Sequence, residues 1–203
     1  TRKIVNFNQL WGELIIEELI LQKINFFCIS PGSRSTPLTL GVAKNQNASS
    51  MICYDERAAS YFALGYARGC GKPAVLICTS GTATANYLPA IIESSVEQIP
   101  MLILTADRPP ELHDTGANQT INQNNLFGKY IHWFFDPGVP HSKFKIEALL
   151  STIDHAIYKT KKPLAGPVHI NLQFREPFFE KNETHKTHQN KNNKLNKPLV
   201  KYA

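Results

Sequence analysis

Glu56 is the residue best placed to do chemistry. It follows the short apolar run Met51 to Tyr54 and precedes Ala59, Ala63 and Ala67, which recur at every fourth position. That spacing predicts a strand running into a helix with alanines along one face, so that another backbone can approach closely. Glu56 then falls in the first helical turn, where the macrodipole and unpaired N–H groups favour a negative charge. Plain helix capping competes with catalysis at such a position. Two arginines supply the complementary charge. Arg34 lies in the turn Ser30-Pro31-Gly32-Ser33-Arg34-Ser35, and Arg108 in Ala106-Asp107-Arg108-Pro109-Pro110-Glu111. A planar guanidinium fits a carboxylate as a fork. Two of them at strand ends predict an anionic ligand carrying carboxylates. The turn Thr79-Ser80-Gly81-Thr82 would present N–H groups to an anion or a polar ring, or serve as a simple turn.

Other chemistries find less support. Ser33 and Ser80 have no neighbouring His, and Gly-x-Ser-x-Gly does not occur. No second acid pairs clearly with Glu56, as glycosidase chemistry would require. The glycines from Gly65 to Gly71 stand near Lys72, but their spacing is not that of a P-loop and no Ser or Thr follows the Lys. They read instead as a helix C-cap and turn. A lone carboxylate with cationic and amide companions suits an enzyme whose cofactor carries the difficult chemistry.

Alternating elements must position these groups. Residues 8 to 22 carry Leu10, Leu14, Ile15 and Leu19 at helical period, and helical patterns recur at 38 to 44, 56 to 69, 82 to 95 and 145 to 160. Strand-like runs lie at Phe26 to Ile29, Met51 to Tyr54, Ala74 to Thr79, Met101 to Thr105 and Val168 to Leu172. The fold class is therefore α/β, with a parallel sheet of about six strands and helices on both faces. Ligands of such sheets gather beyond the carboxyl ends of the strands. The polar clusters at Pro31 to Ser35, Asp55 to Arg57, Thr79 to Thr82 and Ala106 to Gln123 should share that rim. The last is long for a loop, which favours a functional role.

The 203 residues suit one domain, 1–179, followed by a polar basic linker, 180–203. Residues 180 to 203 hold six Lys and two Glu, so most of the +6 net charge belongs to the tail and the body is near neutral. The tail lacks the interleaved aromatics of a nucleic-acid arm, and no nucleic-acid partner is expected. No apolar run is long enough to span a bilayer as a helix. Cys28, Cys53, Cys70 and Cys78 include no Cys-x-x-Cys pair, which points to a reducing compartment, cytoplasm or plastid stroma. His185 and His188 have ligand-like spacing, but their place in the tail argues against zinc. The start at Thr1, without Met, suggests a piece of a longer protein.

The run Glu56, Gly65-Tyr66-Ala67-Arg68, Gly71-Lys72-Pro73 and Thr79-Ser80-Gly81-Thr82 resembles the pyrimidine-binding domain of thiamine-diphosphate enzymes. Within them, Pro31 to Leu38, Asp55-Glu56-Arg57, Ala106 to Glu111 and Gly116-Ala117-Asn118-Gln119 resemble the 2-succinyl-5-enolpyruvyl-6-hydroxy-3-cyclohexene-1-carboxylate synthases of menaquinone and phylloquinone biosynthesis. The likeness spans roughly residues 5 to 180. It implies that 2-oxoglutarate loses carbon dioxide and is joined to isochorismate. Glu56 matches the glutamate that hydrogen-bonds the pyrimidine N1′, as both catalytic and cofactor-binding residue. Ser33, Arg34, Arg108, Asn118 and Gln119 match substrate-binding positions. The family implies Mg2+ held by a domain absent from these residues, and a homo-oligomer in which each site is completed by another subunit. This chain alone should then be inactive. The rival readings are a non-catalytic module docking through the Ala59, Ala63, Ala67 face, or another 2-oxoacid enzyme of the acetolactate-synthase kind.

Overall fold

The computed structural model describes residues 6–179. Helix α1 (Phe7–Leu21) starts where the Asn6 side chain accepts the Gln9 N–H at 3.0 Å, and it buries Trp11, Leu14, Ile15, Ile16 and Leu19. Strand β1 (Phe26–Ile29) follows, then a 3-10 turn over Ser33–Ser35 and α2 (Thr36–Lys44). Pro37 stands in the first turn of α2, where a missing N–H costs little. Next come β2 (Ser49–Ile52) and α3 (Glu56–Cys70). Asp55 caps α3 by accepting the Ala58 N–H at 3.0 Å, and Gly71 ends it at φ 69°, a left-handed C-cap. The chain continues through β3 (Ala74–Cys78), α4 (Thr82–Ala85), α5 (Leu88–Val96) and β4 (Met101–Asp107). After the long loop come β5 (Trp133–Phe135), α6 (Ile146–Lys161) and β6 (Pro167–Gln173).

The six strands form one parallel sheet in the order β2-β1-β3-β4-β6-β5. Because successive side chains point to opposite faces, one strand feeds two cores. Val75 and Ile77 of β3 join Phe27, Leu102, Leu104 and Ile170 beneath α1, α2 and α6. Ala74, Leu76 and Cys78 join Met101, Ile103 and Ile91 beneath α3 and α5. Burying each large aliphatic side chain stabilises the fold by about 1.5–3 kcal/mol, which is why β3 is apolar on both faces, while β4 and β6 keep one apolar face and carry Thr105, Asp107, His169, Asn171 and Gln173 on the other.

Several expectations change on folding. The helix foreseen over 82 to 95 is two helices, α4 and α5, since Pro89 can stand only in a first turn and forces a new start after Tyr87. Strand β2 lies two residues earlier than foreseen and is exposed throughout as an edge strand. The aromatic strand β5 was not foreseen at all. Ala59, Ala63 and Ala67 are buried against the sheet of their own chain, with Cys28 and Leu76 in the same core. That face is therefore not available to a partner, and the docking module built on it is corrected. The proposed linker at 180–203 lies outside the described residues.

The chain leaves β1 toward β2 on one side and returns to β3 on the other, so the order of strands reverses between β1 and β3. In parallel α/β sheets a crevice opens at such a reversal, beyond the carboxyl ends of the strands. Here the turns after β1 and β3 touch. A Cβ on Gly32 would meet Thr79 Cβ at 2.4 Å, so only glycine allows this approach.

Candidate active site

The turns after β1, β3 and β4 carry Arg34, Ser80 and Arg108 to one place. Arg34 is 5% exposed, its guanidinium donating to the Phe174 carbonyl and pairing with Glu176 Oε1 at 3.4 Å beneath the Phe178 ring. Burial, and next the Arg108 charge beside it, lower the Arg34 pKa. Arg108 is half-buried and donates from its guanidinium to the Ser80 hydroxyl. Its own pKa is lowered by burial and raised by Asp107 and Glu176. Two like charges that act on each other while partly desolvated can seat an anion. The Arg34 Nε–H, buried and without a partner among the described residues, adds an unused donor.

The loop after β4 clasps the Ser80-Gly81 turn. Gln119 donates from Nε2 to the Ser80 carbonyl at 3.0 Å, and the Ser80 hydroxyl donates to the Gln119 carbonyl at 3.2 Å. Gly81 has φ 86°, and a Cβ there would meet Gln119 Cγ at 2.9 Å. Its N–H donates to Gln123 Oε1 at 2.8 Å. Asn118 is exposed beside this clasp, and its side chain takes no partner among the described residues. Ser33 is exposed at the start of the 3-10 turn that carries Arg34.

Beneath the clasp lies a buried polar network whose directions follow from proton counts. Asn171 Nδ2 donates to Asp107 Oδ2 and Asp136 Oδ2, both at 2.8 Å, so its Oδ1 must accept. That oxygen takes the Thr105 hydroxyl at 2.9 Å and Gln123 Nε2 at 2.8 Å. Thr105 has spent its only proton, so His169 Nε2–H donates to Thr105 Oγ1 at 2.7 Å. His169 Nδ1 then carries a lone pair with no partner among the described residues. Burial pushes the His169 pKa down to about 3, so the ring is neutral. The Asp107 carboxyl is raised by burial, against the Asn171 and Arg108 N–H bonds that lower it.

Glu56 opens α3 at the end of β2, half-buried, in the capped first turn. Its charge acts on the buried Cys78 thiol and Tyr87 phenol, whose pKa values burial first raises, to about 12 for Cys78. The Ser30 hydroxyl lies near that phenol, buried and without a completed hydrogen bond. Among the described residues, no hydrogen bond or ion pair links Glu56 to either arginine. The structure thus brings together Arg34, Arg108, Ser80 and Gln119, and sets Glu56 apart on the same rim. The sequence pattern puts Gln123 only at the boundary of a polar cluster, and Asn171, Thr105 and His169 only within strands. Polar residues inside otherwise apolar strands were the available signal.

Comparison with known proteins places the class first. Residues 11–126 match the family described as thiamine pyrophosphate enzyme, N-terminal TPP binding domain, and the chain belongs to that family. Curated relatives that the chain matches are named 2-succinyl-5-enolpyruvyl-6-hydroxy-3-cyclohexene-1-carboxylate synthase, among them the following three. The protein of Pelodictyon phaeoclathratiforme is 58% identical over 170 residues, 84% of this chain and 29% of the relative. That of Chlorobaculum tepidum is 58% identical over 168 residues, 83% of this chain and 29% of the relative. That of Rubrobacter xylanophilus is 52% identical over 171 residues, 84% of this chain and 30% of the relative. The chain therefore spans less than a third of the length of these relatives.

Proposed function

We propose that this chain is the pyrimidine-side domain of a synthase that decarboxylates 2-oxoglutarate and joins the remaining four-carbon unit to isochorismate. The observation that carries the reading is the arginine pair, Arg34 and Arg108, partly buried and close enough to act on each other at the reversal point of the sheet. Both substrates in the reading are dicarboxylates, and this pair is built for carboxylates. Ser33, Asn118 and Gln119 extend the same rim as further hydroxyl and amide contacts.

The residues present fit one half of a thiamine diphosphate site. Glu56 offers a half-buried carboxylate at a helix N-terminus, and the Ser30 hydroxyl behind it has hydrogen-bonding capacity to spare. When bound, thiamine diphosphate supplies the electron sink that decarboxylation of a 2-oxoacid needs. Glu56 would hold a proton against the pyrimidine ring nitrogen N1′. Arg34 and Arg108 would orient the substrate carboxylates, and the apolar strand ends would keep water out. The reading assigns Mg2+ to ligands outside the described residues, as the resemblance implies.

The reading includes a homo-oligomer. Met51, Ile52, Tyr54, Tyr61 and Phe62 are large apolar or aromatic residues left exposed on β2, the turn after it and α3, the elements that flank Glu56, where a second subunit would complete the site. The free thiols favour a reducing location, cytoplasmic or stromal. The test is turnover by the full-length protein with thiamine diphosphate and Mg2+, offering 2-oxoglutarate or pyruvate as donor and isochorismate as acceptor. Product from 2-oxoglutarate and isochorismate supports the reading. Preference for pyruvate refutes it in favour of an acetolactate-type enzyme.

A further inference from the structure

Gln123 is 1% exposed and uses its whole amide. Its Nε2 donates to Asn171 Oδ1 at 2.8 Å and to the Ala106 carbonyl at 3.3 Å, while Oε1 accepts the Gly81 N–H at 2.8 Å. The amide cannot turn over. The two carboxylates of Asp107 and Asp136 hold Asn171 Nδ2, which leaves only Oδ1 for Gln123. Gln123 must therefore show its nitrogen to Asn171 and its oxygen to Gly81. A flipped Gln123 would set two acceptors against each other at one end and two donors at the other.

Gly81 in turn fixes Ser80, whose hydroxyl receives the Arg108 guanidinium and whose carbonyl receives Gln119. We propose that Gln123 is a positioning residue for the carboxylate seat: it transmits the orientation imposed by Asp107, Asn171 and Asp136 through Gly81 and Ser80 to Arg108. It touches no ligand itself. The proposal rests on the reading of Arg108 as a carboxylate-binding residue. It adds that the direction of one buried amide sets where that guanidinium points.

The test uses the full-length protein and two variants. Gln123→Met keeps the volume and removes both polar functions. Gln123→Glu keeps an acceptor for Gly81 but, when ionised, turns an oxygen toward Asn171 Oδ1. Once protonated it can again donate to Asn171 and accept from Gly81, and burial favours that protonated form. The KM for 2-oxoglutarate is expected to rise about 10-fold in Gln123→Met at every pH, the scale of one lost buried hydrogen bond. In Gln123→Glu it should rise as much at alkaline pH and return toward wild type as pH falls. Asp107 at the end of β4, Arg108 just after it, His113 in the next loop, Asp136 after β5 and His169 on β6 surround the position in all three proteins. The difference between profiles thus isolates residue 123.

The second readout is amide hydrogen exchange over residues 79 to 87 in the same proteins without substrate. Exchange at Gly81 should quicken at least about 10-fold in Gln123→Met, with the peptides of β4 and β6 unchanged. A KM within twofold of wild type in Gln123→Met, or parallel pH profiles for the two variants, would overturn the proposal. So would unchanged exchange at Gly81. Silence of the wild type with 2-oxoglutarate would overturn the functional reading instead, and the exchange result would still decide whether Gln123 holds the turn.

Discussion

Replacing His169 by Leu should flatten the acid sensitivity of the protein. The ring is fully buried on β6, with the Phe127 and Phe134 ring centroids at 4.9 and 5.1 Å, and Thr105 Oγ1 accepts its Nε2–H. That apolar sleeve lowers the pKa from the ordinary 6.5 to about 3. A depressed histidine means that the unfolded chain takes up a proton below 6.5 which the folded chain refuses until about 3. Stability therefore falls as pH drops through that window and is fully recovered above it. Each unit of difference is worth about 1.36 kcal/mol, so between about pH 7.5 and about pH 4 this one group removes about 3 kcal/mol. The Leu variant lacks the group and keeps that amount, although at neutral pH it starts about 1–2 kcal/mol lower for the lost hydrogen bond. Urea unfolding of wild type and variant at the two pH values measures the difference directly. Loss of stability in parallel, to within about 1 kcal/mol, would show that His169 is not held neutral by burial, and the free lone pair assigned to its Nδ1 would lose its support.

Three further outcomes are expected. Glu56→Gln in the full-length protein should lower turnover by at least about 10²-fold while leaving the fold intact, since α3 keeps its Asp55 cap; retained turnover would remove Glu56 from the chemistry. Arg108→Met should weaken 2-oxoglutarate by about 10–150-fold, the scale of a charge-assisted hydrogen bond, with the melting temperature moving only about 2–4 °C. A KM titration beside a thermal scan separates the two, and an unchanged KM would refute the carboxylate seat. Ala63→Leu should cost about 1–3 kcal/mol by overpacking α3 against the sheet. An unchanged denaturation midpoint would mean that the face has room.

Much of the positioning frame could be read from local order. Helix α3 forms over Glu56–Cys70 with Gly71 as its cap because the alanine spacing, Asp55 and the glycine all favour the same local structure. The parallel sheet follows from apolar runs separated by helices. Local order misled where a residue carried two meanings. The alanine face looked fit for a partner but packs on β1 and β3, since small residues permit close approach to any backbone, including that of their own chain. Strand β5 escaped notice because Trp133–Phe135 is too short to show a period.

The types of the chemical groups, and which turns carry them, were written in the chain itself: an acid after one strand, an arginine after each of two others, and a Ser-Gly turn between. Their relations were not. Arg34 meets the Phe174 carbonyl across 140 positions, Gly81 meets Gln123 across 42, and Gln123 meets Asn171 across 48. Hydrogen bonds of this kind depend on strand order and on which face each side chain takes, and no local preference encodes either. Only when β1, β3, β4 and β6 lie side by side do two separate arginines come close enough to act on each other, and polar residues of separate strands and loops join in one network beside them.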